Sequence, residues 1–191
     1  MPRTNEQFEE IRSNTKHKIL ESALVLFADK GFKGTSINDI AKSAGISKGL
    51  AFNYFKDKKE IMISVFTLLA EEIGSLYHDV EKESEPHKKL KVLINSTLNA
   101  IVEDEKFWRV YMNFALSPEV KEEANEFMGG FMQEIFKEME ILFKDLGYLN
   151  PSMDSKLFAA ELDGICFHYI YDKENYPMEK MRKFLIKKYC S

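Results

Sequence analysis

Residues 36–55 read SINDIAKSAGISKGLAFNYF, and this stretch decides the fold. It holds two short helical patterns on either side of Gly45, with apolar residues at inward-facing positions and polar residues between them. Ala41 is small enough for two helices to cross closely, and Gly45 suits the turn between them. Ser36 with Asp39 has the spacing of a capping box, and a serine also precedes the second pattern. The stretch therefore predicts a helix-turn-helix, although a plain corner of two helices would need the same Ala and Gly.

Side chains that can bind phosphate lie within this stretch and on both sides of it. Hydroxyl and lysine side chains cluster at the starts of the predicted helices, at Thr35, Ser36, Lys48, Lys56, Lys58 and Lys59. Exposed amides and the helix dipole already favour an anion at a helix start. Contacts of this kind hold a protein on the DNA backbone, so the chemistry favours DNA binding over a plain corner.

The distribution of charge agrees with this reading. The chain carries a net charge of -4, which argues against nucleic-acid binding when taken alone. Residues 1–60, however, contain eleven Lys and Arg against eight Asp and Glu, and the remaining residues contain 16 against 23. A mildly basic head therefore precedes an acidic body, as expected if only the head contacts DNA.

A longer run in the same region resembles the N-terminal signature of the tetracycline-repressor (TetR) family. Identity, order and spacing agree without a gap from about Thr15 to Ile61. The matching residues are Gly31, Thr35-Ser36-Ile37, Asp39-Ile40-Ala41, Ala44-Gly45-Ile46-Ser47-Lys48-Gly49 and Tyr54-Phe55-Lys56-Asp57-Lys58. The resemblance implies a transcription regulator that binds double-stranded operator DNA. The rest of the chain is similar to the family only in helix count and length.

The resemblance also implies which residues contact DNA, with the third helix in the major groove. Lys48 is expected to donate to guanine O6 and N7, Asn53 to contact a base or a phosphate, and Phe52 to pack on a thymine methyl. The implied DNA-binding set is Thr35, Ser36, Ser47, Lys48, Gly49, Leu50, Phe52, Asn53, Tyr54 and Lys58, of which Thr35, Ser36, Tyr54 and Lys58 match phosphate contacts. Many family members carry hydroxyls where Leu50 and Phe52 stand, so apolar or shape readout is expected to contribute more than usual.

The whole chain is predicted to be all-α, with an N-terminal three-helix head, a helical body and about nine helices in total. Helical spacing recurs almost everywhere, and no strict alternation indicates a strand. The predicted divisions are a flexible arm at residues 1–14, a helix-turn-helix DNA-binding domain at 15–60 and an effector-binding and dimerisation domain at 61–191. In the arm, Arg3 and Arg12 either enter a minor groove or belong to a disordered segment.

The body is rich in aromatic and Met side chains, which suit an adaptable apolar cavity as well as an ordinary core. By resemblance, TetR-type bodies hold a pocket for a small effector, here expected to be apolar or amphipathic. The candidate effector-binding residues are Trp108, Tyr111, Met112, Met128, Phe131, Phe167, His168 and Tyr171. His168 is alternatively a hydrogen-bonded core residue. Gly129 and Gly130 are expected either to kink or break a long helix, or to permit a tight helix contact.

The last two helices are expected to form the interface of a homodimer. Ala160 and Gly164 permit close approach of backbones, and apolar residues form one stripe on each helix. The candidate interface residues are Phe158, Leu162, Ile165, Tyr169, Met181 and Leu185. By resemblance to the family, two helices from each chain would form a four-helix interface and place the two heads on the half-sites of a palindromic operator.

Other classes of protein find less support. No apolar run approaches the ~20 residues of a membrane span, and the first twenty residues lack a secretory signal, so a cytoplasmic protein is expected. Cys166 and Cys190 form no metal-type pair and are expected to be reduced thiols; no cofactor or metal is expected.

Three functional alternatives remain at this point. Glu161, Asp163 and His168 are the residues that a helical enzyme would use, but no catalytic motif accompanies them. A helical interaction module that no longer binds DNA is the second alternative. An activator in place of a repressor is the third, because no residue fixes the sign of regulation.

Overall fold

The computed structural model describes residues 5–116 and 121–190. Within these ranges, the side chains of residues 5, 6, 111, 114–116 and 121–128 are not described. Nine α-helices and no strands lie in these ranges, which confirms the all-α prediction. The helices are α1 (Asn5–Lys30), α2 (Ile37–Ser43), α3 (Lys48–Phe52), α4 (Lys58–Glu81), α5 (Pro86–Glu103), α6 (Glu105–Leu116), α7 (Lys121–Asp145), α8 (Pro151–Tyr171) and α9 (Met178–Tyr189). Arg3, named above as part of the arm, lies outside the described residues.

The chain divides into two compact units, Met1–Leu68 and Leu69–Ser191. The division falls inside α4, so this helix begins in the first unit and ends in the second. The first unit contains the predicted helix-turn-helix. The second contains α5 to α9.

Helix α1 begins at Asn5 and occupies most of the stretch that was expected to be a flexible arm. The residues from Gln7 to Thr15 are mainly polar, and most of them are exposed. Several of them, such as Gln, Glu and Arg, are strong helix formers, so this segment is suited to a helix. Apolar periodicity marks only the helical segments that pack, and here packing begins at Ile19. The prediction of an arm at residues 1–14 is therefore corrected for the described part, which includes Arg12.

The core of the first unit consists of apolar side chains from every helix in it. Ile19, Ala23 and Phe27 of α1 are buried, as are Ile40 and Ala41 of α2. The remaining members are Ala51, Phe55, Ile61 and Val65. Because α2 and α3 are too short to be stable alone, this burial is what holds them in place.

The second unit is held by an aromatic cluster that joins α7, α8 and α9. The ring of Phe158 lies 5.6 Å from Phe143 and 5.0 Å from Tyr189, measured between centroids. The guanidinium of Arg182 in α9 donates to the backbone and side-chain oxygens of Asn95 in α5, at 3.2 and 3.1 Å. These contacts fix the helices that surround the cavity described below.

Helix α7 runs without a break through Gly129 and Gly130. The sequence predicted a break, a kink or a tight helix contact there. A Cβ built on either glycine meets no described atom within 4 Å, so within the described residues neither glycine marks a close helix contact.

No helix in the described residues is long and apolar enough to cross a membrane. Within the same residues, no group of three His, Cys, Asp or Glu side chains is arranged to hold a metal ion.

Candidate DNA-binding surface and effector cavity

Side-chain caps fix where α2 and α3 begin. The Ser36 hydroxyl accepts a hydrogen bond from the Asp39 amide at 3.2 Å, and the Ser36 amide donates to the Asp39 carboxylate at 3.0 Å, which confirms the capping box. Hydrogen bonds from the side chain and the amide of Ser36 lower the pKa of Asp39. At the start of α3, the Ser47 hydroxyl accepts from the Leu50 amide at 3.1 Å. Both helices therefore start where the sequence predicts.

The turn between α2 and α3 depends on Gly45. Its φ of +69° lies in the left-handed region, where a Cβ is disfavoured. Beyond it, the Ile46 amide donates to the carbonyl of Ala41 at 3.0 Å and closes the end of α2. Ala41 is buried in the core at the same point, as expected for the close crossing of the two helices.

Helix α3 presents most of the predicted DNA-reading residues to solvent. Ser47, Lys48, Gly49, Leu50, Phe52 and Asn53 are all exposed. Leu50 is 38% and Phe52 45% exposed, which is unusual for large apolar side chains on a short helix. The Lys48 ammonium lies 5.9 Å from the centre of the Phe52 ring. This face therefore combines one cationic donor with an apolar surface, while Ala51 anchors the opposite face in the core.

Thr35 occupies a different position from the one the resemblance implied. Its side chain is 1% exposed, and its hydroxyl donates to the carbonyl oxygen of Gly31 at 2.9 Å. The Leu26 carbonyl lies 3.2 Å from the same hydroxyl. Thr35 therefore closes the loop after α1, and its buried hydroxyl is not presented to a phosphate.

Lys58 also has partners within the first unit. Its ammonium donates to the carbonyl oxygens of Phe32 and Thr35, each at 2.7 Å, and lies 4.2 Å from the centre of the Phe32 ring. Burial lowers the pKa of Lys58. Two of the three ammonium donors are thus used to tie α4 to the loop between α1 and α2, which leaves one for a phosphate. Of the other predicted phosphate contacts, Ser36 is exposed and Tyr54 is half-buried.

The start of α4 is capped in a related way. The Asp57 carboxylate accepts from the Glu60 amide at 2.8 Å, while the Glu60 carboxylate accepts from the Lys56 amide at 2.7 Å. These two hydrogen bonds therefore fix the backbone at the start of α4, just after α3.

The second unit contains an apolar cavity of about 100 Å³ between α4, α5, α6, α7 and α8. Its lining residues are Ile73, Leu76, Tyr77, Leu93, Thr97, Trp108, Met132, Ile135, Phe136, Met139, Ala159, Leu162, Asp163 and Cys166. The walls are mainly aliphatic, aromatic and Met side chains, and the polar groups among them are few. This composition is typical of a site for a small apolar or amphipathic molecule.

Among the predicted effector-binding residues whose side chains are described, only Trp108 lines this cavity. Met112 and Phe131 are half-buried and do not line it, and Phe167, His168 and Tyr171 are exposed. The side chains of Tyr111 and Met128 lie outside the described residues. The lining residues that the sequence did not predict come from four helices, α4, α5, α7 and α8, and no local signal brings them together.

A family model and two regulatory proteins match the sequence. The model described as "Bacterial regulatory proteins, tetR family" matches residues 19–65. The transcriptional regulator AcrR of Shigella flexneri is 31% identical over 94 residues, which are 48% of this chain but only 44% of AcrR. The biofilm operon negative transcriptional regulator IcaR of Staphylococcus aureus is 25% identical over 167 residues, 76% of this chain and 89% of IcaR. The helix-turn-helix region of this chain, residues 19–65, therefore matches the TetR family.

A solved structure shares the fold of this chain along most of its length. FadR of Bacillus subtilis, solved in complex with stearoyl-CoA, has a TM-score of 0.77 to the chain at 17% identity. The likeness covers 92% of this chain and 97% of FadR.

The apolar stripe that the sequence assigned to the dimer interface lies inside the chain. Phe158, Leu162, Ile165 and Tyr169 of α8 are buried in its own core, and so is Leu185 of α9, while Met181 is half-buried. A second stripe on α8 is left exposed, formed by Met153, Leu157, Ala160, Phe167 and Tyr171, with the half-buried Gly164 among them. We call this second set the α8 outer stripe. Its spacing of three and four residues places it on one face of the helix.

The two thiols of the chain, Cys166 and Cys190, differ in environment. Burial, followed by the charge of Asp163, raises the pKa of Cys166 to about 12, and burial also raises the pKa of the half-buried Cys190. At pH 8 Cys166 is therefore almost entirely in the thiol form, and only the thiolate is alkylated. We expect iodoacetamide to label Cys190 first and Cys166 only after unfolding, as measured by peptide mass spectrometry. The variant Cys190→Ser should stay unlabelled while folded, and equal labelling of both thiols in the folded wild type would contradict the expectation.

Proposed function

We propose that this chain is a dimeric, ligand-responsive repressor that binds a palindromic operator through α3 and leaves it when a small effector fills the cavity of the second unit. The observation that carries the proposal is the exposed face of α3, where Lys48, Leu50 and Phe52 project from a helix that is capped and anchored at Ala51. A buried or uncapped α3 would not support it.

The match of residues 19–65 to the TetR family and the name of the similar IcaR as a negative transcriptional regulator support repression rather than activation. FadR, whose structure contains stearoyl-CoA, shows that a protein of this fold holds an amphipathic molecule. For the present chain we propose an apolar or amphipathic effector in the cavity, and a cytoplasmic location where operator DNA is found.

Helix α4 supplies the connection between ligand and DNA. Ile73, Leu76 and Tyr77 near its end line the cavity, and Lys58 at its start holds the loop before α2. A ligand that binds the DNA-free conformation more tightly than the bound one shifts the population away from the operator, and linkage requires that operator DNA weaken ligand binding equally.

Catalysis is not part of the proposal. Glu161 accepts hydrogen bonds from Lys188 and Tyr189, and Asp163 lies at the cavity, so these carboxylates have separate surroundings. Neither lies in a described group of residues that resembles a catalytic set.

The proposal is tested by selecting operators from random DNA and measuring variant affinities by electrophoretic shift. We expect Lys48→Ala to cost about 1–3 kcal/mol at its preferred base and less at other bases, because a base contact carries sequence information. We expect Lys58→Ala to weaken binding to all sequences and to reduce the salt dependence by about one phosphate contact. Since Lys58 also holds two carbonyls, the folded fraction of this variant has to be measured by circular dichroism.

The matched control is Lys187→Ala in α9, which makes the same charge change outside the first unit. It should leave affinity and salt dependence close to those of the wild type. Failure to select any preferred sequence, or an equal effect of Lys48→Ala on every sequence, would contradict sequence-specific binding. A DNA-independent interaction module would give the first of these results.

A further inference from the structure

An acidic groove adjoins the effector cavity. It has a volume of about 240 Å³ and lies between α4, α5 and α7. Its lining residues are Tyr77, Val80, Glu81, Lys89, Leu93, Glu138, Met139, Ile141, Leu142 and Asp145. Tyr77, Leu93 and Met139 line both the groove and the cavity, so the two spaces share a wall. A molecule that enters one of them with an apolar segment can extend a polar end into the other.

The ionisable groups of this combined space are mostly acidic. Glu81, Glu138 and Asp145 line the groove, against a single base, Lys89. At the cavity the one acidic residue is Asp163, and no described residue that lines the cavity is basic. A ligand therefore contacts mainly apolar side chains in the cavity and mainly carboxylates among the charged groups of the groove.

The negative charge of the groove affects Tyr77, one of the residues that line both spaces. Burial and the charge of Glu138 both raise the pKa of the Tyr77 phenol, so the phenol stays neutral and the Glu138 charge acts across the shared wall. Burial raises the pKa of Asp163 as well, although part of this side chain is exposed at the rim of the cavity. A positive charge on a ligand would offset both effects, and a negative charge would add to them.

We propose that the cavity and the acidic groove bind an amphiphile with a small apolar body and a cationic head, such as an alkylammonium. The inference rests on the proposed function, whose effector site it specifies. The apolar body lies in the cavity, and the head lies in the groove among Glu81, Glu138 and Asp145. Acyl chains with an anionic head, including acyl-CoA, are disfavoured because their charge would face these carboxylates.

The size of the cavity limits the apolar body. A protein cavity of about 150 Å³ holds one benzene molecule, so a cavity of about 100 Å³ takes a short alkyl segment or part of a ring. A stearoyl chain exceeds it in this conformation. Size and charge therefore both separate the expected ligand from a long-chain acyl-CoA.

Four probes of the full chain test the inference by isothermal calorimetry at low salt: hexyltrimethylammonium, hexanol, hexanoate and stearoyl-CoA. The first three share a six-carbon chain and differ in the charge of the head. We expect the cation to bind most tightly, hexanol more weakly and hexanoate most weakly, with no binding of stearoyl-CoA. Glu138→Gln and Glu81→Gln should each lower the affinity for the cation about threefold and leave the affinity for hexanol unchanged. A threefold loss is the effect expected from removing one exposed charge.

Glu140→Gln is the matched control, because it removes the same charge from an exposed position on α7 that does not line the groove. It should leave all four affinities unchanged. Binding of hexanoate or stearoyl-CoA as tight as that of the cation would overturn the inference, as would an unchanged cation affinity in both groove variants or the absence of binding by every probe. Operator binding without any probe decides the proposed DNA-binding function separately.

Discussion

Replacing Phe158 with alanine is expected to lower the free energy of unfolding by about 3–5 kcal/mol, the range for removing a buried Phe. Its side chain is 0% exposed, and its ring packs between those of Phe143 and Tyr189 from two other helices. Deleting the ring loses the transfer free energy of the buried carbons and leaves a cavity between α7, α8 and α9. Urea unfolding followed by circular dichroism at one fixed protein concentration measures the loss, with the midpoint and the slope compared with those of the wild type.

Leu149→Ala is the matched control for this measurement. Leu149 is an apolar side chain that is 98% exposed, so its truncation should change the unfolding free energy by no more than about 0.5 kcal/mol. If Phe158→Ala were as stable as the control, Phe158 would not belong to the core of a single chain, and the original assignment of its stripe to the dimer interface would stand.

Local signals predicted the helix-turn-helix in detail. The capping box of Ser36 and Asp39 and the positive φ of Gly31 and Gly45 follow from the conformational preferences of single residues and their near neighbours. Such preferences act over three or four residues, and the sequence contains them in full. Pro86 and Pro151 likewise stand in the first turns of α5 and α8, where the missing amide costs no hydrogen bond within the helix.

The two sides of α8 show where a local pattern is insufficient. This helix carries apolar residues on opposite faces, and helical periodicity identifies both faces equally well. The packing of α8 against the other helices of the second unit decides that the face of Phe158 is internal and the face of Leu157 is left exposed. The sequence alone led to the prediction that the face of Phe158 forms the interface, and the buried position of that face contradicts it.

Thr35 and the effector residues were misplaced for a related reason. A Thr beside basic residues resembles a phosphate ligand, but carbonyls nine and four residues earlier in the chain hold its hydroxyl. The cavity takes one or more residues from each of five helices, and an excess of aromatic residues in the sequence does not show which of them converge. These features depend on contacts between distant segments, which composition and periodicity do not contain.

The α8 outer stripe leads to the second large effect. Leu157 is 56% exposed within a single chain, and its stripe continues over about five turns of α8. Such a continuous apolar face on a long helix suits a second copy of the same helix, and the small side chains at Ala160 and Gly164 permit close approach there. Phe184 of α9 is also exposed, so both terminal helices offer apolar surface to the partner that we propose.

Leu157→Glu is therefore expected to dissociate the dimer without unfolding the chain. An unpaired carboxylate in an apolar interface costs about 3–5 kcal/mol, which weakens association about a hundredfold to a few thousandfold. Operator affinity should fall with it, because a monomer contacts one half-site and loses the gain of two linked contacts. Sedimentation equilibrium and electrophoretic shift measure the two losses, and circular dichroism checks the fold.

Gln133→Glu is the control, because it adds the same charge at an exposed position on α7; it should change neither dimerisation nor operator affinity. A Leu157→Glu variant that remained dimeric would place the interface elsewhere, whereas a monomer with full operator affinity would show that one helix-turn-helix is sufficient for binding.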